Sequence, residues 1–289
     1  MILITGATGE FGKNAVKQLI AKGVSSSDIS VLSRTEEKAN HYKADGITVK
    51  IGDYTNYNSL VEAFKDVDKL LFISSSEIEN RAEQHLNVVN AAKEAGVKHV
   101  VYTSFMRNQE PDNSAIAFLQ DSHLKTENWL KESGITYTIL QNATYLDMLP
   151  MFIGEQVLET GIIMQPAKEG KSSLVLRQEL AEAAAVVLTS NGHENKTYPL
   201  VNHQAISYQE VAETIAQVTG KSINYQSPSA EEYQATLKSY GVPEEYIGIF
   251  TAFSVAQANG ELEMSDNSLE QLLGRKPTTP KEFLTHLYA

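Results

Sequence analysis

The chain has 289 residues, room for two domains at the usual roughly 100–200 residues each. Hydrophobic residues make up 42% and charged residues 21%, a balance that excludes wholesale disorder and lets a chain of this length bury a large core unaided. Cysteine is absent, which excludes disulfides, thiolate nucleophiles, iron–sulfur clusters and cysteine-ligated zinc. Acidic side chains outnumber Lys and Arg by 36 to 24, for a net charge of −12. Such a surface repels phosphate backbones and anionic lipid, so neither nucleic acid nor membrane is an expected partner.

Met1 to Thr5 already reads as a strand, which leaves no room for a targeting segment. The apolar stretch Ala183 to Leu188 is far shorter than the ~20 residues that span a bilayer. The expected location is the cytoplasm.

In the first half, apolar runs alternate with amphipathic segments. Strands are predicted at Ile2–Ile4, Ile29–Leu32, Ile47–Ile51, Lys69–Ser74, His99–Thr103 and Tyr137–Gln141, each bounded by Gly, Ser, Asp or Asn. Phe11, Ala15, Val16, Leu19 and Ile20 follow helical spacing, and Gly23 stands where a C-cap glycine belongs. Ser59 to Glu62 reads as a capping box, and Leu86 to Ala95 as a helix ended by Gly96. Strands alternating with helices imply a parallel sheet with right-handed crossovers.

Past about residue 145, Pro150, Gly154, Gly161 and Pro166 break the rhythm. A helix is predicted over Glu179–Leu188 and a strand over Tyr198–Val201, with capping boxes opening helices at Ser207, Ser229 and Thr279. The expected fold class is therefore α/β: a Rossmann-type doubly wound parallel sheet with a smaller mixed α/β C-terminal lobe. The predicted domains are 1–145 with 174–202 for the sheet, and 146–173 with 203–289 for the smaller lobe.

The chemistry starts at Gly6-Ala7-Thr8-Gly9-Glu10-Phe11-Gly12, which follows the first strand and opens the first helix. Gly6 permits the tight turn, Gly9 lets a pyrophosphate approach, and Gly12 lets helix and strand pack closely. The pyrophosphate of a dinucleotide would sit on the helix N-terminus, where free N–H groups and the macrodipole favour anions. At the end of the second strand the chain has Arg34, where an NAD site usually has Asp or Glu. A guanidinium there pairs with a 2′-phosphate, which favours NADP over NAD. After the third strand, Asp53 either accepts from the adenine amine or makes a turn with its own backbone. Ser74, Ser75 and Ser76, ending the fourth strand, are expected on the nicotinamide-ribose side.

At these residues the chain resembles a known family. Thr5 to Gly12, Arg34, Gly52-Asp53, the run Asn90 to Ser104 and Gly134 to Leu140 are similar to the NmrA-like atypical short-chain dehydrogenase/reductases. Within that group the likeness is closest to type 2 NAD(P)H:quinone oxidoreductases and triphenylmethane reductases. His123 to Glu127, Asn142 to Tyr145 and the tail Leu273 to Thr279 carry it. The resemblance implies hydride transfer from NADPH, and it sets His123 where isoflavone-reductase-like relatives have a catalytic lysine.

Typical short-chain reductases protonate the developing alkoxide through Tyr-x-x-x-Lys, yet no tyrosine here has Lys four residues on. Ketone alkoxides are strongly basic, whereas a reduced quinone oxygen is phenolate-like, with a pKa nearer ~10. The missing donor therefore suits a quinone or dye better than a ketone, and it equally suits a protein that only senses the dinucleotide. His123 shares a helix face with Leu119, Thr126 and Leu130, pointing toward the sheet. It is the candidate catalytic acid; as a structural residue it would be a hydrogen-bonded core histidine. Lys125 and Glu127 are expected on a solvated helix face. Gln141 and Asn142, at a strand end, are expected to position the nicotinamide. Phe105, Tyr145, Met148 and Phe152 are predicted to form an apolar wall for a flat aromatic acceptor.

The resulting expectation is an NADPH-dependent reductase, with neither flavin nor metal, that passes hydride to a quinone or similar small aromatic acceptor. The alternatives are an NAD(P)-sensing regulator without turnover and a reductase of enone double bonds. A homodimer is the assembly considered beside the monomer.

Overall fold

The computed structural model describes residues 1–154 and 156–289. Its first part runs β1 (Ile2–Ile4), α1 (Glu10–Ala21), β2 (Ile29–Ser33), α2 (Glu36–Ala44), β3 (Thr48–Ile51), α3 (Tyr57–Ala63) and β4 (Lys69–Phe72). It continues with α4 (Arg81–Glu94), β5 (His99–Phe105), α5 (Ala117–Ser133) and β6 (Thr136–Asn142). Next come α6 (Leu149–Ile153), α7 (Val157–Thr160), β7 (Ile162–Met164), β8 (Lys171–Ser172), α8 (Arg177–Thr189) and β9 (Lys196–Leu200). The chain closes with β10 (Ile206–Ser207), α9 (Tyr208–Thr219), β11 (Asn224–Gln226), α10 (Ala230–Ser239), α11 (Glu244–Ala258), α12 (Ser268–Leu273) and α13 (Pro280–Tyr288).

Seven strands form one sheet in the order β3-β2-β1-β4-β5-β6-β9. Every neighbouring pair in it is parallel. This is the Rossmann-type doubly wound α/β sheet. Helices cover both faces, so inner strands are buried on both sides: all five residues of β2 are buried, and six of seven in β5. That is why they read as apolar runs rather than alternating patterns.

One face packs against α1 and α8 through Phe11, Ala15, Leu19, Ala181, Ala184 and Leu188. The small side chains of Ala183–Ala185 let α8 come close. The other face packs against α3, α4 and α5 through Leu60, Phe64, Val88, Ala92 and Leu130. Each such large side chain contributes about 1.5–3 kcal/mol by leaving water. A third cluster, including Leu149, Ile163, Val211, Ile215 and Leu284, binds α6, β7, α9 and α13 together. Two small sheets brace it: β7 with β11 in parallel and β8 with β10 antiparallel. α12 returns to the large sheet, packing on α8 and β9 with Leu269 in the first core.

The structure adjusts several predicted ends. Asn56, not Ser59, caps α3, accepting from Ser59 N at 3.1 Å. Ser59 Oγ instead accepts from Asp53 N at 3.0 Å. α4 begins at Arg81, ahead of the predicted Leu86, because its first turn is polar and shows no apolar stripe. The capping boxes at Ser207, Ser229 and Thr279 all form.

Candidate functional site

In such a sheet the ligand crevice lies at the carboxyl ends of the strands, where the strand order reverses. Here that point falls between β1 and β4. A cleft of about 830 Å³ opens there and runs from the glycine turn to α11.

Gly6 holds φ +58°, a left-handed conformation that favours glycine. Gly12 is an internal packing requirement: a Cβ there would lie 2.6 Å from Ala7 Cα and press on Gly6 O. Gly9 is different. A Cβ there would meet only Gly6 O, at 3.4 Å. Gly9 also caps α1 with no side-chain hydrogen bond, so the first amides of the helix stay open to a ligand. Gly6, Thr8, Gly9, Glu10 and Phe11 line the cleft. Ala7 does not, being wholly buried with its carbonyl accepting from the Tyr42 hydroxyl at 2.6 Å. Gly12 is likewise buried behind the turn.

Arg34 is exposed at the cleft's edge. The nearby Glu36 is occupied by Lys43 at 3.1 Å. Asp53 lines the cleft and makes the turn, its Oδ1 accepting from Thr55 N at 2.9 Å and Thr55 Oγ1 at 2.8 Å. Ser74, Ser75 and Ser76 line the cleft beyond it.

Past the serines lies a buried polar relay. Ser75 N donates to His85 Nε2 at 3.0 Å, which puts the His85 hydrogen on Nδ1, 2.9 Å from Thr126 Oγ1. Thr126 in turn donates to Ser122 O at 2.7 Å. The Tyr102 hydroxyl lies 3.3 Å from His85 Nδ1 and shares a hydrogen bond of 2.7 Å with His123 Nδ1. Burial, followed by the Arg81 charge, holds the His123 pKa well below the usual 6.5. The ring is therefore neutral at pH 7 rather than an imidazolium acid. It lines the cleft with Ser104 and Phe105.

Asn142 lines the same region beside Tyr145, with both its amide atoms buried and neither in a well-formed hydrogen bond among the described residues. Orphaned polar groups inside a protein are rare, and a pair of donor and acceptor calls for a ligand with the complementary pair. Gln141 does not join it. Its amide donates to Glu127 Oε1 at 3.2 Å, away from the cleft. Glu127 itself, expected on a solvated face, is buried. It makes a two-pronged bridge to Arg107 at 2.7 and 2.6 Å and accepts from Ser104. Burial raises its pKa, but Arg107 and Ser104 outweigh that and hold it below the ordinary 4.5. Lys125 is exposed, pairing with Asp121 at 2.7 Å.

Phe105, Tyr145, Met148 and Phe152 all line the cleft. Sequence reasoning missed what faces them. Tyr246, Ile249, Phe250 and Phe253 of α11, spaced by three and four residues, line the opposite side. Phe152 meets Phe250 edge-on at 5.3 Å. It also missed Arg177, whose guanidinium lies 5.6 Å over the Tyr145 ring and bonds Asp147 at 2.6 Å. The third omission is Arg81, buried at the start of α4 and lining the cleft.

The residues present fit a dinucleotide: an uncapped helix end behind an open glycine, an exposed guanidinium at the second strand's end, and at the far end an amide unpaired among the described residues. Among the described residues, no three His, Asp or Glu side chains cluster as metal ligands, and no helix is long and apolar enough to cross a membrane.

Comparison with known proteins agrees with this geometry. The NmrA-like family matches over residues 1–284. Quinone oxidoreductase 2 of Escherichia coli K12 is 38% identical over 288 residues, covering 100% of this chain and 99% of its own length. The NADP(H) complex of Citrobacter sp. triphenylmethane reductase superposes with a TM-score of 0.92 at 39% identity, covering 100% of both chains. The NAD(P)H azoreductase of Xenophilus azovorans is 27% identical over 290 residues, covering 98% of this chain and 96% of that protein. The chain belongs to the NmrA-like family.

Proposed function

We propose that this NAD(P)H-dependent oxidoreductase uses NADPH and acts on a quinone or a similar flat aromatic acceptor, without flavin. The observation that carries the reading is the continuity of one cleft, from the Gly6–Gly9 turn to an aromatic chamber between Phe105, Tyr145 and Phe152 on one side and α11 on the other. The relatives named for quinone, triphenylmethane and azo substrates support it.

In this reading Gly9 and the N-terminus of α1 hold the pyrophosphate, Arg34 the 2′-phosphate, and Ser74–Ser76 the nicotinamide ribose. Asn142 offers both halves of its amide to the nicotinamide carboxamide. When bound, NADPH supplies a hydride. The chain's own contribution is proximity and orientation, with water excluded by the aromatic walls. Neutral His123 donates a hydrogen bond without giving up its proton, which suffices for a phenolate-like product.

NADPH oxidation by flavin-free protein, screened over quinones, triphenylmethane dyes and enones, tests the assignment. Turnover with quinones or dyes is expected. Turnover with enones alone would move the reading to double-bond reduction, and NADPH binding without oxidation of any acceptor would leave a dinucleotide sensor.

A further inference from the structure

Arg81 is only 6% exposed, lines the cleft, and has two guanidinium nitrogens, Nε and Nη1, buried without a partner among the described residues. The other cations at this end are neutralised, Arg177 by Asp147 at 2.6 Å and Arg107 by Glu127 at 2.6 Å. An unpaired buried guanidinium carries a large desolvation cost and persists where it has work to do on a ligand. Arg81 is also the first residue of α4, so its charge adds to the positive end of a helix of 14 residues.

We propose that Arg81 is the anion-stabilising residue of the acceptor site, placed to face the oxygen that becomes negative as the acceptor is reduced. The inference rests on the acceptor reading above. In that step the nicotinamide C–H bond breaks, its electron pair and hydrogen form a bond to the acceptor, the nicotinamide is oxidised and the acceptor becomes an anion. A solvent proton then neutralises it. A fixed cation in a water-poor cleft opposes no charge on the ground-state quinone and meets a full charge on the product, the differential that speeds a reaction. It does electrostatically what the missing Tyr-x-x-x-Lys donor does by proton transfer.

A cofactor phosphate is the rival source of negative charge, and the surroundings argue against it. Arg81 lines the cleft together with His123 and Tyr145, and its charge reaches both of them and the buried Tyr102 behind, whereas Glu77 feels Arg34. It belongs to the acceptor end.

The test uses a phenol that reports its own ionisation, 4-nitrophenol, titrated by absorbance into the complex of the protein with NADP⁺. In the wild type the bound phenol is expected to ionise about 1–2 pH units below the free one, as beside any close opposite charge. Arg81→Gln should abolish that shift and weaken the nitrophenolate by roughly 10- to 100-fold, with NADP⁺ affinity unchanged; Arg81→Lys should restore part of the shift. An unshifted phenol in the wild type, or an equal shift in wild type and Arg81→Gln with quinone reduction intact, overturns the role of Arg81 and leaves the acceptor reading standing. Loss of NADP⁺ affinity in Arg81→Gln makes the residue a cofactor anchor and overturns it too. A wild type that neither binds the phenol nor reduces any quinone removes the acceptor reading, and this inference with it.

Discussion

Two glycines three residues apart in the same turn have different work, and the difference is measurable. At Gly9 an added Cβ meets only Gly6 O, at 3.4 Å, and on the proposed reading the side chain would grow into the path of the pyrophosphate; at Gly12 it would press on Gly6 and Ala7. Gly9→Val should keep the far-ultraviolet circular dichroism and melting of the wild type and lose NADPH binding by calorimetry. Gly12→Val should lose both, because the backbone of the turn must move. Matching behaviour of the two variants would remove the distinction. Exchanging Arg34 for Glu replaces a charge-assisted bond to the 2′-phosphate, worth about 1.5–3 kcal/mol, by repulsion. Fluorescence titration of Arg34→Glu should therefore show more than about a tenfold loss for NADPH and little for NADH. Equal losses would contradict the assignment.

At the scale of elements, what could be read from sequence was what is local. The glycine turn, the strand ends carrying Arg34 and Asp53, and the capping boxes of α9, α10 and α13 are encoded within a few residues, and they form. The segment 146–173 was opaque because its strands exist only through distant partners, β7 on β11 and β8 on β10. α11 was opaque for another reason. Ile247, Thr251 and Ser254 face the interior while Tyr246, Ile249, Phe250 and Phe253 face the cleft, so the apolar residues are not gathered on the buried side and no single stripe marks the helix. Glu127 and Arg81 were missed because a charged side chain in a helix reads as solvent-facing until its surroundings are known. In Glu127 those surroundings are Arg107 and Ser104; in Arg81 they are a cleft.

For the whole molecule, the Glu127 bridge ties α5 to the loop after β5 and sets a pH dependence. Its carboxyl titrates below the ordinary 4.5 in the folded state, so the stabilisation is complete above that pH and is lost as pH falls through the folded value. Removing one partner of a buried pair costs roughly 3–5 kcal/mol. Urea unfolding of Glu127→Gln should show about that loss at pH 7, shrinking toward zero as the pH falls through the acid range where the wild-type carboxyl takes up its proton. A difference from wild type that stays constant down that range would mean the carboxylate is not what the fold uses.

On the proposed reading one cleft binds NADPH and an aromatic acceptor together, so that hydride passes directly between them. Anaerobic mixing of flavin-free protein with limiting NADPH and excess quinone, read by absorbance and by product analysis, tests it most directly. One hydroquinone should form for each NADPH consumed, at a rate that saturates in both and is unchanged by added flavin. NADPH that binds and is not oxidised above the buffer rate, or oxidation that appears only when flavin is supplied, would contradict it.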